Sequence, residues 1–308
     1  MGTRGFFAFS VSTVMGMAVL NSSTALFAEP SEVCIYGHPV LEQTAKPIEK
    51  FDGALKVTAD RLVRALHSAG DGGVGLAAPQ IGLSERIAVA EVQMPTAFPP
   101  DWTEEKISEM KAKYRDLSKK IIRIDADGKR TQYEDIVQFR TFVFADPEII
   151  FPDMSEREYD LEGCISLPGL FGFVPRHGEI TLKYRDLDGN ACELECDGFL
   201  ARVIQHETDH LNGVLFIKRI CDGCLFIDGS SPIWKHFSDE YKQLEAMKDD
   251  ALTKKKLGVI ADKRPDLSEK IKDRIFCISD ANAALEIVKK IGGKNHLFNY
   301  DTLRPQAK

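Results

Sequence analysis

A globular domain that mixes strands with helices is what this sequence predicts, and three observations carry the expectation. From Pro30 to about Ile220, short strand-like runs alternate with helical patterns. Leu55 to Ser68 repeats apolar residues at helical spacing. Ile180 to Tyr184 and Glu193 to Cys196 flank the turn Asp186-Leu187-Asp188-Gly189, as in a pair of adjacent strands. Beyond Ile220 the pattern becomes mostly helical, which divides the chain into a leader (1–28), a main domain (29–220) and an extension (221–308).

Length and composition set the bounds. A chain of 308 residues can bury a substantial core, and 44% hydrophobic with 28% charged residues is ordinary for a soluble protein. The net charge of -7 argues against a nucleic-acid footprint, which needs a basic stripe, and gives no cause to expect an anionic membrane surface as partner. Residues 1–28 carry one basic residue, Arg4, then an apolar stretch from Phe6 to Leu20 and small residues at Ser23-Thr24-Ala25 and Ala28. That is the layout of an export signal, pointing to the periplasm or secretion; a disordered or organelle-targeting extension is the alternative. No other stretch is long and apolar enough to cross a bilayer, so no membrane span is expected in the mature chain.

The elements follow in order. Leu55, Ala59, Leu62, Val63 and Leu66 share one helix face, with Asp52-Gly53 at its start and Gly70 to Gly73 at its end. Arg86 to Val92 and Thr141 to Ala145 read as strands. Between them lies an insertion at about 94–140, where Asp101-x-x-Glu104 resembles a capping box and Ile107, Met110, Tyr114, Leu117 and Ile121 recur at helical spacing. A helix packed on the main body by that stripe is expected. In the extension, Ile233, Phe237, Leu244 and Met247 suggest a helix, Lys254-Lys255-Lys256 and Arg264-Pro265 a polar break, and Asp280 to Ile291 a last helix ended by Gly292-Gly293.

Chemistry concentrates in Gln205-His206-Glu207-Thr208-Asp209-His210. On a helix His206 and His210 project from one face and can share a metal ion, and Glu207 beside the first can act as general base on a metal-activated water. A catalytic metal wants a third protein ligand. The extended zincin pattern fits through Gly213, but its last position is Phe216, which cannot ligate. Glu240 further on sits in a charged helical stretch, so Cys164 in Glu162-Gly163-Cys164-Ile165-Ser166-Leu167-Pro168-Gly169 is the stronger candidate.

Three separated segments then resemble the signature motifs of the peptide deformylase family: Gly73-Val74-Gly75-Leu76-Ala77-Ala78-Pro79-Gln80, Glu162 to Ser166, and Gln205 to Leu211. Gly37-His38-Pro39-Val40-Leu41, Asp146-Pro147-Glu148-Ile149 and Val174-Pro175-Arg176 support the match, which covers roughly Val33 to Ile220. The resemblance implies an α+β fold, with antiparallel and mixed β-sheets around a central metal-binding helix. It implies Cys164, His206 and His210 as ligands of one divalent metal. Fe2+ is expected, with Zn2+, Ni2+ or Co2+ able to occupy the same donors. It further implies Glu207 as the base, and Gln80 with the Ile165 N–H as the oxyanion donors, each such donor typically worth about 3 kcal/mol of barrier. The substrates implied are N-formyl-methionyl peptides or nascent chains, which release formate, with ribosome contact an open expectation.

Gly73 and Gly75 let the loop run close to an extended substrate, against the plainer reading of a tight turn. Val203 lines a pocket for the methionine side chain or simply packs in the core. Asp209 orients a neighbour or sits on the helix surface. Cys221-x-x-Cys224 has zinc or redox spacing, and Cys192-x-x-x-Cys196 could complete a four-cysteine site, but unpaired or structural thiols are preferred, and export would favour disulfides. A zincin-type endopeptidase and a non-catalytic formyl-peptide binder are the competing functions. The leader sits awkwardly with the resemblance, because formylated chains begin in bacterial cytoplasm or an organelle.

Overall fold

A computed structural model describes residues 32–69, 73–91, 103, 121–124, 130–132, 141–153, 156–220, 225–263, 271 and 275–300. The leader, the capping box at Asp101 and Glu104, most of the insertion's helical stripe and the Cys221/Cys224 pair lie outside these residues.

In chain order the strands are β1 (Glu32–Cys34), β2 (Gly75–Ala77), β3 (Ile87–Glu91), β4 (Ile121–Ile124), β5 (Arg130–Gln132), β6 (Thr141–Ile150) and β7 (Arg157–Cys164). Then follow β8 (Leu167–His177), β9 (Glu179–Arg185), β10 (Ala191–Asp197), β11 (Leu225–Asp228), β12 (Ile275–Cys277) and β13 (Leu297–Asn299). The helices are α1 (Gly53–Ser68), α2 (Gly198–Leu211), α3 (Ile233–His236), α4 (Ser238–Ala246), α5 (Asp250–Lys263) and α6 (Ala281–Ile291). The fold is α+β.

An antiparallel seven-stranded sheet runs in the order β2-β3-β6-β9-β10-β4-β5. Its strand β3 shows how period two feeds two cores. Ile87 and Val89 join Leu55, Ala59, Leu62 and Leu66 of α1. Ala88 and Ala90 join Phe144, Leu182 and Leu194 and, on α2, Ala201, Ile204 and Leu211. The small alanines let α2 lie close to the sheet. Burying a leucine such as Leu62, which is 0% exposed, contributes roughly 1.5–3 kcal/mol. The β6–β9 ladder shifts register between Ala145 and Glu148, where Asp146 takes a φ of 48° and Pro147 has no N–H to donate. Asp146 Oδ1 accepts from the Ile48 N–H at 3.0 Å, tying the bulge to the chain before α1.

The insertion is not helical throughout. Ile121, the last member of the expected helical stripe, begins β4, which pairs with β10 and carries β5 on its other edge. Three of the four residues in Ile121-Ile122-Arg123-Ile124 are β-branched, and that preference outweighs the helical spacing.

A second sheet, β12-β11-β8-β7, joins the main domain to the extension. Residues expected to be mostly helical supply its two outer strands on that side, β11 on β8 and β12 on β11. β13 also pairs with β1. Lys254-Lys255-Lys256, expected to mark a break, lies inside α5. One core cluster holds Leu167, Leu170, Val174 and Phe216 together with Trp234, Phe276, Val288 and Phe298. Gly169, at φ +73°, makes room for that contact, since a Cβ there would stand 2.3 Å from Trp234 Cζ2. Among the described residues no helix is long and apolar enough to cross a membrane.

Candidate metal centre

Two elements bring the donors together. α2 carries His206 and His210 one turn apart, their rings 5.0 Å between centroids. It ends on Gly213 (φ +69°), whose N–H bonds His210 O while Val214 N–H bonds Asp209 O, a left-handed stop that caps the last turn. Cys164 closes β7, and the tight connection to β8 shifts the register at Gly163/Cys164, so the thiol turns toward the helix. The ligand atoms of Cys164, His206 and His210 all lie within 4.8 Å of one another, and Cys164 Sγ is 3.2 Å from His210 Nε2. A tetrahedral ion with bonds of about 2.0–2.3 Å needs donors about 3.5 Å apart, so the trio fits a single ion with small adjustments.

Electrostatics agree with a cation site. Glu162 Oε2 bonds His206 Nδ1 at 3.0 Å, which leaves Nε2 as the ligand atom. Burial disfavours charge on His206, but hydrogen bonds to Cys164 and Glu162 outweigh it and raise its pKa well above the ordinary value, so in the metal-free fold this ring holds a proton that a cation must displace to be ligated. Burial lowers the pKa of His210 well below the ordinary value, keeping the ring neutral as a ligand must be. Burial alone would push Glu162 up, yet the bonds from His206 and Arg176 hold its carboxyl well below the usual range.

Behind the ligands runs a buried ionic network that the sequence did not reveal. Arg176 forks onto Glu162, Nε to Oε1 and Nη2 to Oε2, both at 2.9 Å, and its Nη1 reaches Asp209. Arg202 Nη1 adds a 2.8 Å bond to Glu162 Oε1, and Arg219 forks onto Asp209. Asp209 is therefore buried and paired, not a helix-surface carboxylate. Glu162 and Arg176 both stand inside quoted motifs, but only the fold shows them meeting.

Glu207 projects beside the donors. Its Oε2 is buried with no hydrogen-bond partner among the described residues, and burial raises its pKa to about 7. Gly75 is glycine because of it: a Cβ there would stand 2.4 Å from Glu207 Oε1. Gly73 is confined in turn by Leu66 Cδ1 and Ile165 Cδ1, at 2.9 and 3.3 Å from a built Cβ. Gln80 is 1% exposed; its Oε1 accepts from Ala77 N–H at 2.8 Å, which aims Nε2 at Cys164 Sγ (3.6 Å) and Ser166 Oγ (3.2 Å). Ile165 follows Cys164 in the turn, and its side chain packs on the α1 cluster. Val203 is buried in the cluster between α2 and the sheet. Phe216 stacks near His206, ring centroids 6.2 Å apart. Cys192 and Cys196 are buried in β10, directing Sγ to Asn190 O at 3.7 Å and Leu194 O at 3.6 Å.

A cysteine and two histidines placed to share a cation, beside a buried carboxylate whose Oε2 has no hydrogen-bond partner among the described residues, make the arrangement of a metallohydrolase site. The model of the polypeptide deformylase family matches residues 30–101 and 109–224, and the chain belongs to that family. It is similar to a peptide deformylase of Thermus thermophilus, 36% identical over 187 residues, covering 60% of this chain and 80% of the relative. A peptide deformylase of Roseiflexus castenholzii is 36% identical over 184 residues, covering 59% and 82%. The crystal structure of peptide deformylase from Thermotoga maritima aligns with 33% identity over 61% of this chain and 96% of that one, at a TM-score of 0.44. The chain is a metal-dependent hydrolase that removes the formyl group from nascent peptides, and the endopeptidase and pure-binder readings are not favoured.

Proposed function

We propose that Cys164, His206 and His210 hold one divalent cation, ferrous iron in the cell, and that Glu207 is the general base of deformylation. The buried Oε2 of Glu207, without a hydrogen-bond partner among the described residues, carries this reading, and Gly75 leaves the room that Oε1 of the same carboxylate fills. A buried polar atom left so is costly unless it serves an ion, a water or a substrate. A divalent cation at these donors supplies Lewis acidity, polarising the formyl oxygen and acidifying water. Glu207 takes the proton of the attacking water and returns it to the leaving amine as formate departs. Gln80 Nε2, held in place by its bond from Ala77, and the Ile165 N–H donate to the formyl oxygen as it gains charge. A mixed sulfur and nitrogen donor set suits iron, and equally accepts zinc, nickel or cobalt.

The substrate, an N-formyl-methionyl chain, lies along the Gly73–Gly75 segment. β2 is an edge strand of the sheet among the described residues, so an extended peptide can pair with it. Formate release from a short N-formyl-methionyl peptide, assayed under reducing, anaerobic conditions with iron present, tests the proposal. Release that requires iron supports it; a filled metal site with no release would leave peptide binding in its place. We also propose that residues 1–28 are an export signal, which a mature N-terminus near Leu26 or Glu29, read by mass, would support.

A further inference from the structure

Residues after 224, where the family match ends, reach back to the metal-ligand turn. Tyr300 follows β13, which pairs with β1 through Asn299 and Glu32, Phe298 and Val33, and Leu297 and Cys34. Its ring stands edge-on to Phe298, centroids 4.8 Å apart and planes at 90°. Its hydroxyl donates to the Ile165 carbonyl at 2.7 Å. That carbonyl and the Ser166 N–H belong to one planar peptide group. At the far end of the group, the Ser166 N–H donates to Cys164 Sγ at 3.4 Å. The next carbonyl is gripped from the same side, since the Tyr36 N–H, just past β1, donates to Ser166 O at 2.8 Å. The β1–β13 ribbon thus holds two successive carbonyls of the turn that presents the sulfur.

We propose that Tyr300 is a positioning residue for the Cys164 thiolate, fixing and polarising the Ile165–Ser166 peptide so that its N–H stays on the sulfur. The inference rests on Cys164 being a metal ligand, as read above. A hydrogen bond at a peptide oxygen strengthens donation from the N–H of the same group, so the hydroxyl acts on the sulfur through that peptide. A hydrogen bond on a ligating sulfur draws electron density from it, and such outer contacts tune the metal's acidity. The extension therefore contributes to the chemistry as well as to the core.

Cobalt(II) is the probe, because its thiolate charge-transfer band reports the state of the sulfur independently of turnover. The full chain is loaded with cobalt as wild type, Tyr300→Phe and Phe298→Leu. Tyr300→Phe keeps the ring and loses the hydroxyl. It is expected to move the band to lower energy and to lower kcat by about 10-fold with KM within about twofold. Phe298→Leu loosens the ring contact and keeps the hydroxyl, so it lowers the melting temperature and leaves the band in place. A band unmoved by Tyr300→Phe, or moved as far by Phe298→Leu, overturns the inference alone. A cobalt-loaded wild type with no thiolate band overturns the ligand assignment and the inference together.

Discussion

Gly75 and Glu207 share a space that any side chain at position 75 would take. A methyl there would sit 2.4 Å from Oε1, so Gly75→Ala must push the carboxylate aside. Displacing a catalytic group by an ångström costs on the order of 100-fold, so kcat for formate release is expected to fall about that far with bound metal unchanged. Lost metal in step with lost activity would contradict it. Glu207 also leaves a mark on stability. Burial raises its carboxyl from 4.5 to about 7 in the metal-free fold. A folded value above the unfolded one means the charged form is penalised: the contribution is full below the unfolded value and is lost as pH rises through about 7. Metal-free Glu207→Gln should therefore be more stable than metal-free wild type near pH 8, by up to about 3 kcal/mol, and equal to it near pH 4. Denaturant titrations of both proteins at the two pH values check this. The residues that the fold gathers at the candidate centre were legible because their types and spacings are local: two histidines a helical turn apart, a glutamate beside the first, a cysteine in its own motif. Glu162 was not, because nothing in its neighbours says that His206, Arg176 and Arg202 converge on it from other elements.

At the scale of elements, the β7–β8 turn and α2 must keep a common register for the trio to form, and Glu162 links them. Glu162→Gln removes the charge that pairs with Arg176 and Arg202, leaving Arg176 with Asp209 alone, and replaces one of the two oxygens that accept from these guanidinium groups and from His206. Breaking such a buried network typically costs about 3–5 kcal/mol, and losing the outer partner of a ligand about 10–100-fold in metal affinity. Urea unfolding and metal titration of the variant are expected to show both losses, and a variant with wild-type stability would refute the network's role. Helices with a clear apolar stripe and a cap were readable: α1 begins on Asp52, whose Oδ1 accepts from Ala54 N–H, and α6 begins on Asp280 in the same manner with Ala283. Strands β4, β11, β12 and β13 were not. Each is three or four residues long and owes its state to a distant partner, so period and propensity carry little signal over such lengths. The lysine run in α5 misled for the converse reason, since a solvated helix face looks like a break when its buried side is sparse.

For the whole molecule, the extension shares a core with the main domain. Trp234 packs over Gly169, its Nε1 donates to Asp228 O at 3.0 Å, and the cluster around it spans both parts of the chain. Tryptophan fluorescence and far-UV dichroism are therefore expected to report one coincident urea transition. Trp234→Ala should lower the stability of that single transition by about 3–5 kcal/mol. Two separated transitions would show that the extension folds on its own. The centre itself is tested by Glu207→Gln loaded with iron, compared with wild type for bound iron and for formate released from an N-formyl-methionyl peptide. One equivalent of iron in each protein, with formate release lowered by about 10²–10⁴-fold in the variant, is the expected result. Near-wild-type release by the variant with its iron in place would contradict the assignment of Glu207 as the base.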